Sequence, residues 1–396
     1  MTQPDTSATG NVKEAKLPRR DWILLPLIGL LTICLLAGSV ELIAMWMFPQ
    51  LGTAGEDCMV YDPSTGSRGI PNSVCWEKIP EGELTEYRFN SCGHRAGMEC
   101  GPKPSGTYRI VMIGTSFTLG MRVPREKTFA ALLPLELSRR TGLKVELYNE
   151  AMPEESPDIL AHRFSEVLKA EPDMVLWALN QGDIGSSKKG MNPPPISDSK
   201  SRLLVRAWHR VKAAYAQDSF MDFIRYIFHH TRTATLLSHF LYSSNSQFVK
   251  ASLMSDDYQS EPSADRKKLL KEFDNSAASI GAQAINAGVP LVAALLPNHA
   301  QAAMISMQEL PAGVDPYWAD EDVRSIITSH GGIYIDMFPD IRAIPNLQLG
   351  YFPVEGHPNA LGHAIFTEAL AQELTNGSVP ALKVVAQPQA ALEQSR

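Results

Sequence analysis

Several signatures of common functions are missing from this 396-residue chain. It has no glycine-rich phosphate loop and no dense basic patch, and its formal net charge is −7, so nucleotide-cradling loops and nucleic-acid binding have no support. Cysteine is scarce, with 5 residues, and no two of them have the paired C-x-x-C spacing typical of structural zinc sites. We therefore expect no cofactor, no metal and no nucleic-acid partner. The adjacent pair His229 and His230 does not change this, because neighbouring residues on a helix point about 100° apart.

Long apolar runs are also rare, and one near the start of the chain is long enough to cross a bilayer. It covers residues 22–48 and is preceded by four basic residues, Lys13, Lys16, Arg19 and Arg20. The positive-inside rule then places residues 1–21 in the cytoplasm and everything after Phe48 across the membrane. A secretory signal peptide is the competing interpretation. Glu41 interrupts the run, where it could reach the outer interface or pair with a partner helix.

The cysteines agree with this topology. Cys34 lies in the apolar run, and the other four cluster in the lead-in segment, residues 49–105: Cys58, Cys75, Cys92 and Cys100. An even set in an oxidising compartment predicts two disulfides, with three pairings open. We expect them to stiffen a segment rich in glycine and proline that shows little periodicity of its own.

Beyond the lead-in, strand-like and helix-like segments alternate over residues 106–375. Five apolar runs are predicted strands: 109–113, 145–148, 174–179, 291–296 and 333–336. Four segments between them have helical periodicity: 129–141, 159–170, 266–287 and 320–330. Strands separated by helices predict an α/β fold with a parallel sheet covered on both faces. A helical insertion over about 190–265 and a flexible tail over 376–396 complete the predicted domains.

A serine follows the first of these strands. Gly114-Thr115-Ser116 comes directly after residues 109–113, so Ser116 is predicted to lie at the carboxyl edge of the sheet, where open α/β proteins bind ligands. The motif is not the Gly-x-Ser-x-Gly nucleophile elbow, because Thr118 stands at the second glycine. The alternative is a polar turn that caps the next helix.

A histidine near the other end of the chain supplies a candidate base. His357 lies in Glu355-Gly356-His357-Pro358-Asn359, just before a helical pattern that would fix its ring at a helix entrance. Glu355 could hold the imidazole in one tautomer and stabilise the imidazolium. Otherwise His357 is a turn residue bonded to backbone, and Glu355 is a solvated loop carboxylate.

On these motifs the chain resembles the SGNH/GDSL hydrolase superfamily, in particular its membrane-anchored extracytoplasmic bacterial members. The similarity covers about residues 87–374. It includes Tyr87-Arg-Phe-Asn90 with Gly93-His-Arg95, the block of residues 109–120 that contains Gly114-Thr115-Ser116, and the closing block of residues 356–363, which begins Gly356-His357-Pro358-Asn359. The resemblance implies a flavodoxin-like (SGNH) three-layer sheet, with Ser116 as nucleophile and His357 as base. It also implies that Ser116 offers its backbone N–H to the oxyanion.

The chain departs from the family pattern at four positions. Thr115 replaces the aspartate of Gly-Asp-Ser, and Glu154 stands at the usual oxyanion glycine. In the third block, Asn180-Gln-Gly-Asp183, the expected oxyanion asparagine falls on Gly182 and Asn180 comes two residues early. Val354 occupies the usual position of the acid, so Glu355 is the candidate. Candidate oxyanion donors are thus Ser116, Glu154 and Asn180.

These features together predict a serine esterase or O-acyltransferase anchored in the bacterial inner membrane, with its carboxyl-terminal domain in the periplasm or another extracytoplasmic space. Its partners would be the bilayer, through residues 22–48, and an acylated carbohydrate or envelope lipid as substrate. The alternative is a catalytically inactive protein that keeps the fold to bind a glycan or a partner in envelope polysaccharide assembly. The altered blocks favour the inactive protein, and the intact Ser116 and His357 favour the enzyme.

Overall fold

The computed structural model describes residue 18 and residues 20–48, 58–62, 66–153, 155–184, 231–242, 258–307, 310 and 312–384. Its centre is a five-stranded sheet in which every pair of neighbours is parallel. The strands of this sheet are β5 (Thr107–Gly114), β6 (Lys144–Asn149), β7 (Met174–Asn180), β8 (Leu291–Leu296) and β9 (Ile333–Ile335).

The strand order in space is β6-β5-β7-β8-β9. Counted within the sheet this is 2-1-3-4-5, the doubly wound order of flavodoxin-like folds, so the predicted fold class is confirmed. The middle strand β7 is buried along its whole length, as its apolar run from Met174 to Leu179 predicts for a strand covered on both faces. The order reverses between β5 and β7, and ligands bind such sheets at this point.

Helices cover both faces. Two apolar clusters lie on opposite sides of the sheet, one around Phe129, Leu133 and Phe366, the other around Phe164 and Phe273. The helices of the first face are α3 (Phe129–Thr141) and α10 (Ala360–Glu373). Those of the second face are α4 (Pro157–Val167), α6 (Ala264–Ala287) and α8 (Trp318–Ser329). Three shorter helices join these elements: α2 (Ser116–Leu119), α7 (His299–Ile305) and α9 (Phe338–Arg342).

The lead-in is more regular than its sequence suggests. It holds two antiparallel hairpins, β1 (Met59–Asp62) with β2 (Gly66–Gly69) and β3 (Val74–Glu77) with β4 (Thr85–Arg88). Two disulfides join Cys58 to Cys75 and Cys92 to Cys100, which selects one of the three pairings that the spacing allows. The first disulfide ties the two hairpins to each other.

Two further helices lie outside the sheet domain. Helix α1 (Asp21–Met47) is apolar, exposed and 27 residues long, so it could span a membrane or be a signal sequence. Helix α5 (Arg232–Tyr242) belongs to the predicted insertion. Most of the remaining insertion, including His229 and His230, lies outside the described residues.

The start of the predicted flexible tail differs from expectation. Two short helical turns, Leu374–Ser378 and Pro380–Leu382, extend into it, and Val379 and Leu382 are buried in the first-face cluster. Burial of these apolar side chains stabilises the packing of this stretch, although its glycine and proline residues predict a loop. Residues 385–396 lie outside the described part of the chain.

Candidate active site

Ser116 stands where the order of the sheet reverses. It is the first residue of α2, separated from the end of β5 by Thr115 alone, and is half-buried. Gly114 makes this abrupt change of direction possible, because its φ of 151° is rarely adopted by residues with a side chain. As the first helical residue, Ser116 also has a backbone N–H without a partner inside its own helix, which suits the oxyanion role predicted for it.

His357 reaches Ser116 from a loop at the entrance of α10. Asn359 caps that helix, because its side chain accepts hydrogen bonds from the N–H groups of Leu361 (2.9 Å) and Gly362 (3.2 Å). The same side chain donates to the carbonyls of Leu349 and Tyr351, at 2.8 and 3.1 Å. The loop that carries His357 is therefore fixed from both sides.

The three predicted catalytic side chains lie in one hydrogen-bonded line. His357 Nε2 is 2.8 Å from Ser116 Oγ, and His357 Nδ1 is 2.8 and 2.9 Å from the two carboxylate oxygens of Glu355. The ring of Phe117 packs against the imidazole, with centroids 5.1 Å apart. A serine, an imidazole and a carboxylate in this order are the arrangement that lets a serine hydroxyl lose its proton while it attacks a carbonyl.

Arg122 is a second partner that stabilises the charge of Glu355. Burial alone would raise the pKa of Glu355, but hydrogen bonds and charge from His357, together with the charge of Arg122, hold this pKa below its ordinary value. Arg122 Nε is 2.8 Å from Glu355 Oε1. Glu355 is therefore a carboxylate at neutral pH, as an imidazolium partner requires.

Arg122 stands in no recognisable motif, and its supporting contacts come from the lead-in. Its backbone N–H donates to the hydroxyl of Tyr87 (2.7 Å), and this hydroxyl donates to Glu77 (2.6 Å). Glu77 and Tyr87 lie on the second hairpin of the lead-in, so this segment forms part of the site. Tyr87 belongs to a motif that carries the family resemblance, but no spacing links it to Arg122 or Glu355.

The third block forms a separate hydrogen-bonded cluster beside the serine. Asp183 Oδ1 accepts hydrogen bonds from the Thr115 hydroxyl (2.7 Å) and from the side-chain amide of Asn180 (2.8 Å). Asp183 Oδ2 accepts from the backbone N–H of Asn180 (2.9 Å). Burial raises the pKa of Asp183 to about 7, against the lowering effect of these donors. The Asn180 side chain thus faces Asp183, and Glu154, the remaining candidate oxyanion donor, lies outside the described residues.

Comparison with known proteins gives structural likeness only. No protein-family model and no curated protein sequence matches the chain. It is similar to the solved structure of an alpha/beta hydrolase enzyme from the metagenome of Lake Arreo, Spain, at 14% identity over 70% of this chain and 96% of that one, with a TM-score of 0.37. It is also similar to a catalytic mutant of an acetylxylan esterase from Geobacillus stearothermophilus, at 14% identity over 69% of this chain and 96% of that one, with a TM-score of 0.36. A third similar structure is the psychrotrophic esterase EstA from a Pseudoalteromonas species, at 11% identity over 67% of this chain and 96% of that one, with a TM-score of 0.34.

Proposed function

We propose that this chain is a serine esterase or O-acyltransferase of the SGNH type. The observation that carries the proposal is the line from Ser116 Oγ to His357 Nε2 (2.8 Å) and from His357 Nδ1 to Glu355 (2.8 Å) at the switch point of the sheet. The sequence motifs around Ser116 and His357 point to the same superfamily. A nucleophile and a base within hydrogen-bond reach, with the base held by a carboxylate, are what acyl transfer needs.

In the proposed reaction, Ser116 Oγ attacks the acyl carbonyl carbon while its proton moves to His357 Nε2. The carbonyl oxygen becomes an oxyanion, stabilised by the N–H of Ser116. Collapse of this intermediate expels the alcohol, which takes the proton from His357, and leaves an acyl group on Ser116. Water or a sugar hydroxyl, deprotonated by His357, then releases the acyl group as an acid or as a new ester.

We further propose that α1 is a retained anchor in the bacterial inner membrane, with its amino end in the cytoplasm and the sheet domain outside. The basic residues before α1 support the orientation. The carboxylate of Glu41 supports retention, because it accepts hydrogen bonds from the N–H groups of Arg232 and Thr233, both at 2.9 Å. Cleavage after a signal sequence would remove this cap from α5. An enzyme held there would act on acylated carbohydrate or lipid of the envelope.

Covalent labelling by a fluorophosphonate, read by intact mass, tests the proposal on the full chain in detergent. We expect one label per chain, lost in Ser116→Ala and in His357→Ala. Glu355→Gln keeps an acceptor for the imidazole but removes the charge, so its labelling rate should fall by about 10²–10⁴-fold. Ser329→Ala and His330→Ala are matched controls, because His330 binds Asp274 (2.7 Å) away from the site.

The inactive binding protein remains the second candidate, and one observation favours it. The side-chain amide of Asn180, a candidate oxyanion donor, is bonded to Asp183 at 2.8 Å. If the folded chain carries no label at Ser116, the esterase proposal is wrong and the binding protein becomes the better description. If it is labelled, incubation with an activated acyl ester and a sugar acceptor separates esterase from transferase by the share of acyl group found on water or on sugar.

A further inference from the structure

Glu81 is a buried carboxylate that holds the loop carrying the candidate acid and base. It lies in the turn between β3 and β4, and its side chain is only 4% exposed. One carboxylate oxygen accepts from the N–H of Val354 (2.8 Å) and the other from the N–H of Glu355 (3.1 Å). Hydrogen bonds to an ionised acceptor are among the stronger ones in proteins. Glu81 therefore fixes the backbone from which Glu355 extends toward His357.

The same carboxylate also contacts α5. Its Oε1 is 3.1 Å from Nδ1 of His239, which is 34% exposed. At the other end of α5, Arg232 and Thr233 donate their N–H groups to Glu41, and the Arg232 guanidinium donates to the carbonyl of Met45 at 2.8 Å. An unbroken set of direct contacts thus joins α1, α5, Glu81 and the loop of residues 352–357.

These contacts limit how far the site can lie from the outer end of α1. Arg232 and His239 are separated by about 10 Å of helix rise. Glu41 itself lies about 9 Å inside the end of α1 at Met47 by the same measure. The loop of residues 352–357 is therefore held near the end of α1, at a distance comparable to the length of α5.

We propose that Glu81 is a positioning residue, which sets the Glu355 and His357 loop for attack by Ser116 and ties this loop through His239 and α5 to the anchor helix. The inference rests on the proposed function for its effect on rate, but its effect on the loop is independent of any reaction. Its consequence is that the reactive serine is presented at a fixed short distance from the membrane surface, where a lipid or lipid-linked ester is within reach.

The test compares Glu81→Gln with Glu83→Gln in the full chain in detergent. In Glu81→Gln the side chain keeps one oxygen acceptor but turns an amide donor toward an N–H, whereas Glu83 is 55% exposed and pairs with Lys127 away from the loop. For Glu81→Gln we expect fluorophosphonate labelling of Ser116 to slow by about 10–100-fold, because a shift of about 1 Å in a catalytic group has an effect of this size. Hydrogen exchange at residues 352–356 should become faster. Glu83→Gln should change neither.

The two readouts separate the possible failures. Unchanged exchange and labelling in Glu81→Gln would show that Glu81 does not position the loop. An unlabelled wild-type chain would defeat the esterase proposal, yet faster exchange at residues 352–356 in Glu81→Gln would still support the positioning role. If Glu81→Gln unfolds at the same temperature as wild type, its effect lies in the loop and is not a general loss of structure. A large drop in the unfolding temperature, with faster exchange throughout the domain, would overturn the positioning role.

The link to the anchor is tested by His239→Ala, with His330→Ala as its control. We expect faster hydrogen exchange at residues 352–356 in His239→Ala. The increase should be smaller than in Glu81→Gln, because Glu81 still accepts the hydrogen bonds from the N–H groups of Val354 and Glu355. Glu41→Gln should raise exchange at the start of α5 and, less strongly, at the same loop. If His239→Ala and Glu41→Gln leave the loop at the wild-type rate, the coupling to the anchor is wrong.

Discussion

Asn180, a candidate oxyanion donor, has its side chain turned to Asp183. Its side-chain amide is 2.8 Å from Asp183 Oδ1 and 3.4 Å from the Thr115 hydroxyl, so it is already engaged. We predict that Asn180→Ala slows labelling of Ser116 by less than about tenfold, whereas losing a working oxyanion donor costs about 10²–10³-fold. It should lower the free energy of unfolding by about 1–3 kcal/mol, because the Asp183 carboxyl loses a side-chain donor.

Thr115→Val is the matched control, since it removes the other side-chain donor to Asp183. Both variants should lose stability in urea unfolding, and their labelling of Ser116 should slow by less than about tenfold. A loss of about 10²-fold or more in Asn180→Ala, with stability close to wild type, would mean that its amide leaves Asp183 and turns to the oxyanion during reaction.

The sequence predicts the residues of this site that sit in short motifs and misses those that depend on tertiary contact. The strand before Ser116 and the helix after His357 indicate these two residues. Glu355 is indicated by its position two residues before the histidine. Arg122 and Glu81 contact Glu355 or its backbone from distant parts of the chain. A single arginine or glutamate in a loop resembles an ordinary solvated residue, so only the fold reveals these two.

Gly114 lies at the tight junction between β5 and α2. A Cβ at this position would lie 2.5 Å from Thr118 Oγ1 and would also collide with the carbonyl oxygen of Ala178 on β7. We predict that Gly114→Ala lowers the free energy of unfolding by about 1–3 kcal/mol through overpacking. It should also slow labelling of Ser116 by about 10²-fold, because the serine moves with α2.

Gly142→Ala is the control that separates backbone strain at a positive φ from the steric collision expected in Gly114→Ala. Gly142 ends α3 with a φ of 75°, but an added Cβ would meet nothing within 4 Å. We expect a stability loss of about 1 kcal/mol from the left-handed conformation alone and an unchanged labelling rate. Equal labelling in Gly114→Ala and in wild type would mean that α2 does not depend on this tight turn.

The same difference between local and distant information appears in the elements. The five parallel strands and their helices follow from apolar runs and helical periodicity, and helix α3 ends where Gly142 predicts. The hairpins of the lead-in are four residues per strand, too short for alternation to stand out. They are held by a disulfide whose pairing the spacing leaves open, and by packing of Tyr87 and Phe89 on the sheet domain. Neither the pairing nor the packing can be predicted from local sequence.

Buried histidines connect the stability of the whole molecule to pH. Burial lowers the pKa of His363 to about 3 and that of His299 to about 4. For His94, burial acts together with the charges of Arg163 and Arg68, and lowers the pKa to about 4. Each histidine is therefore neutral in the folded chain at pH values where the unfolded chain, with a pKa near 6.5, binds a proton. Their contribution to stability is complete above about pH 6.5 and is lost as the pH falls toward 4 and 3.

His363→Phe isolates one of these contributions. His363 Nδ1 accepts from the N–H of Phe129 at 3.3 Å, and its ring stacks on that residue, so Phe keeps the packing but not the acceptor. We expect the variant to be less stable than wild type by about 1–3 kcal/mol at pH 7.5. As the pH falls from 6.5 to 4, the wild type should lose about 1.4 kcal/mol of stability per pH unit relative to the variant, roughly 3.5 kcal/mol in all, because only the wild type gains a proton at this position when it unfolds. The difference should therefore vanish and then reverse in sign.

Urea unfolding of both chains in detergent, followed by tryptophan fluorescence at several pH values, measures this difference. Groups that titrate in the opposite sense cancel in the comparison; Asp183, with its pKa raised to about 7, gives stability that is lost as the pH rises through 7 in both chains. A difference that stays constant from pH 7.5 to 4 would show that His363 keeps an ordinary pKa, and therefore that water reaches the space between α3 and α10. A difference that shrinks places His363 in a dry core, so acid would open the α3–α10 face directly behind the helix entrance that carries His357.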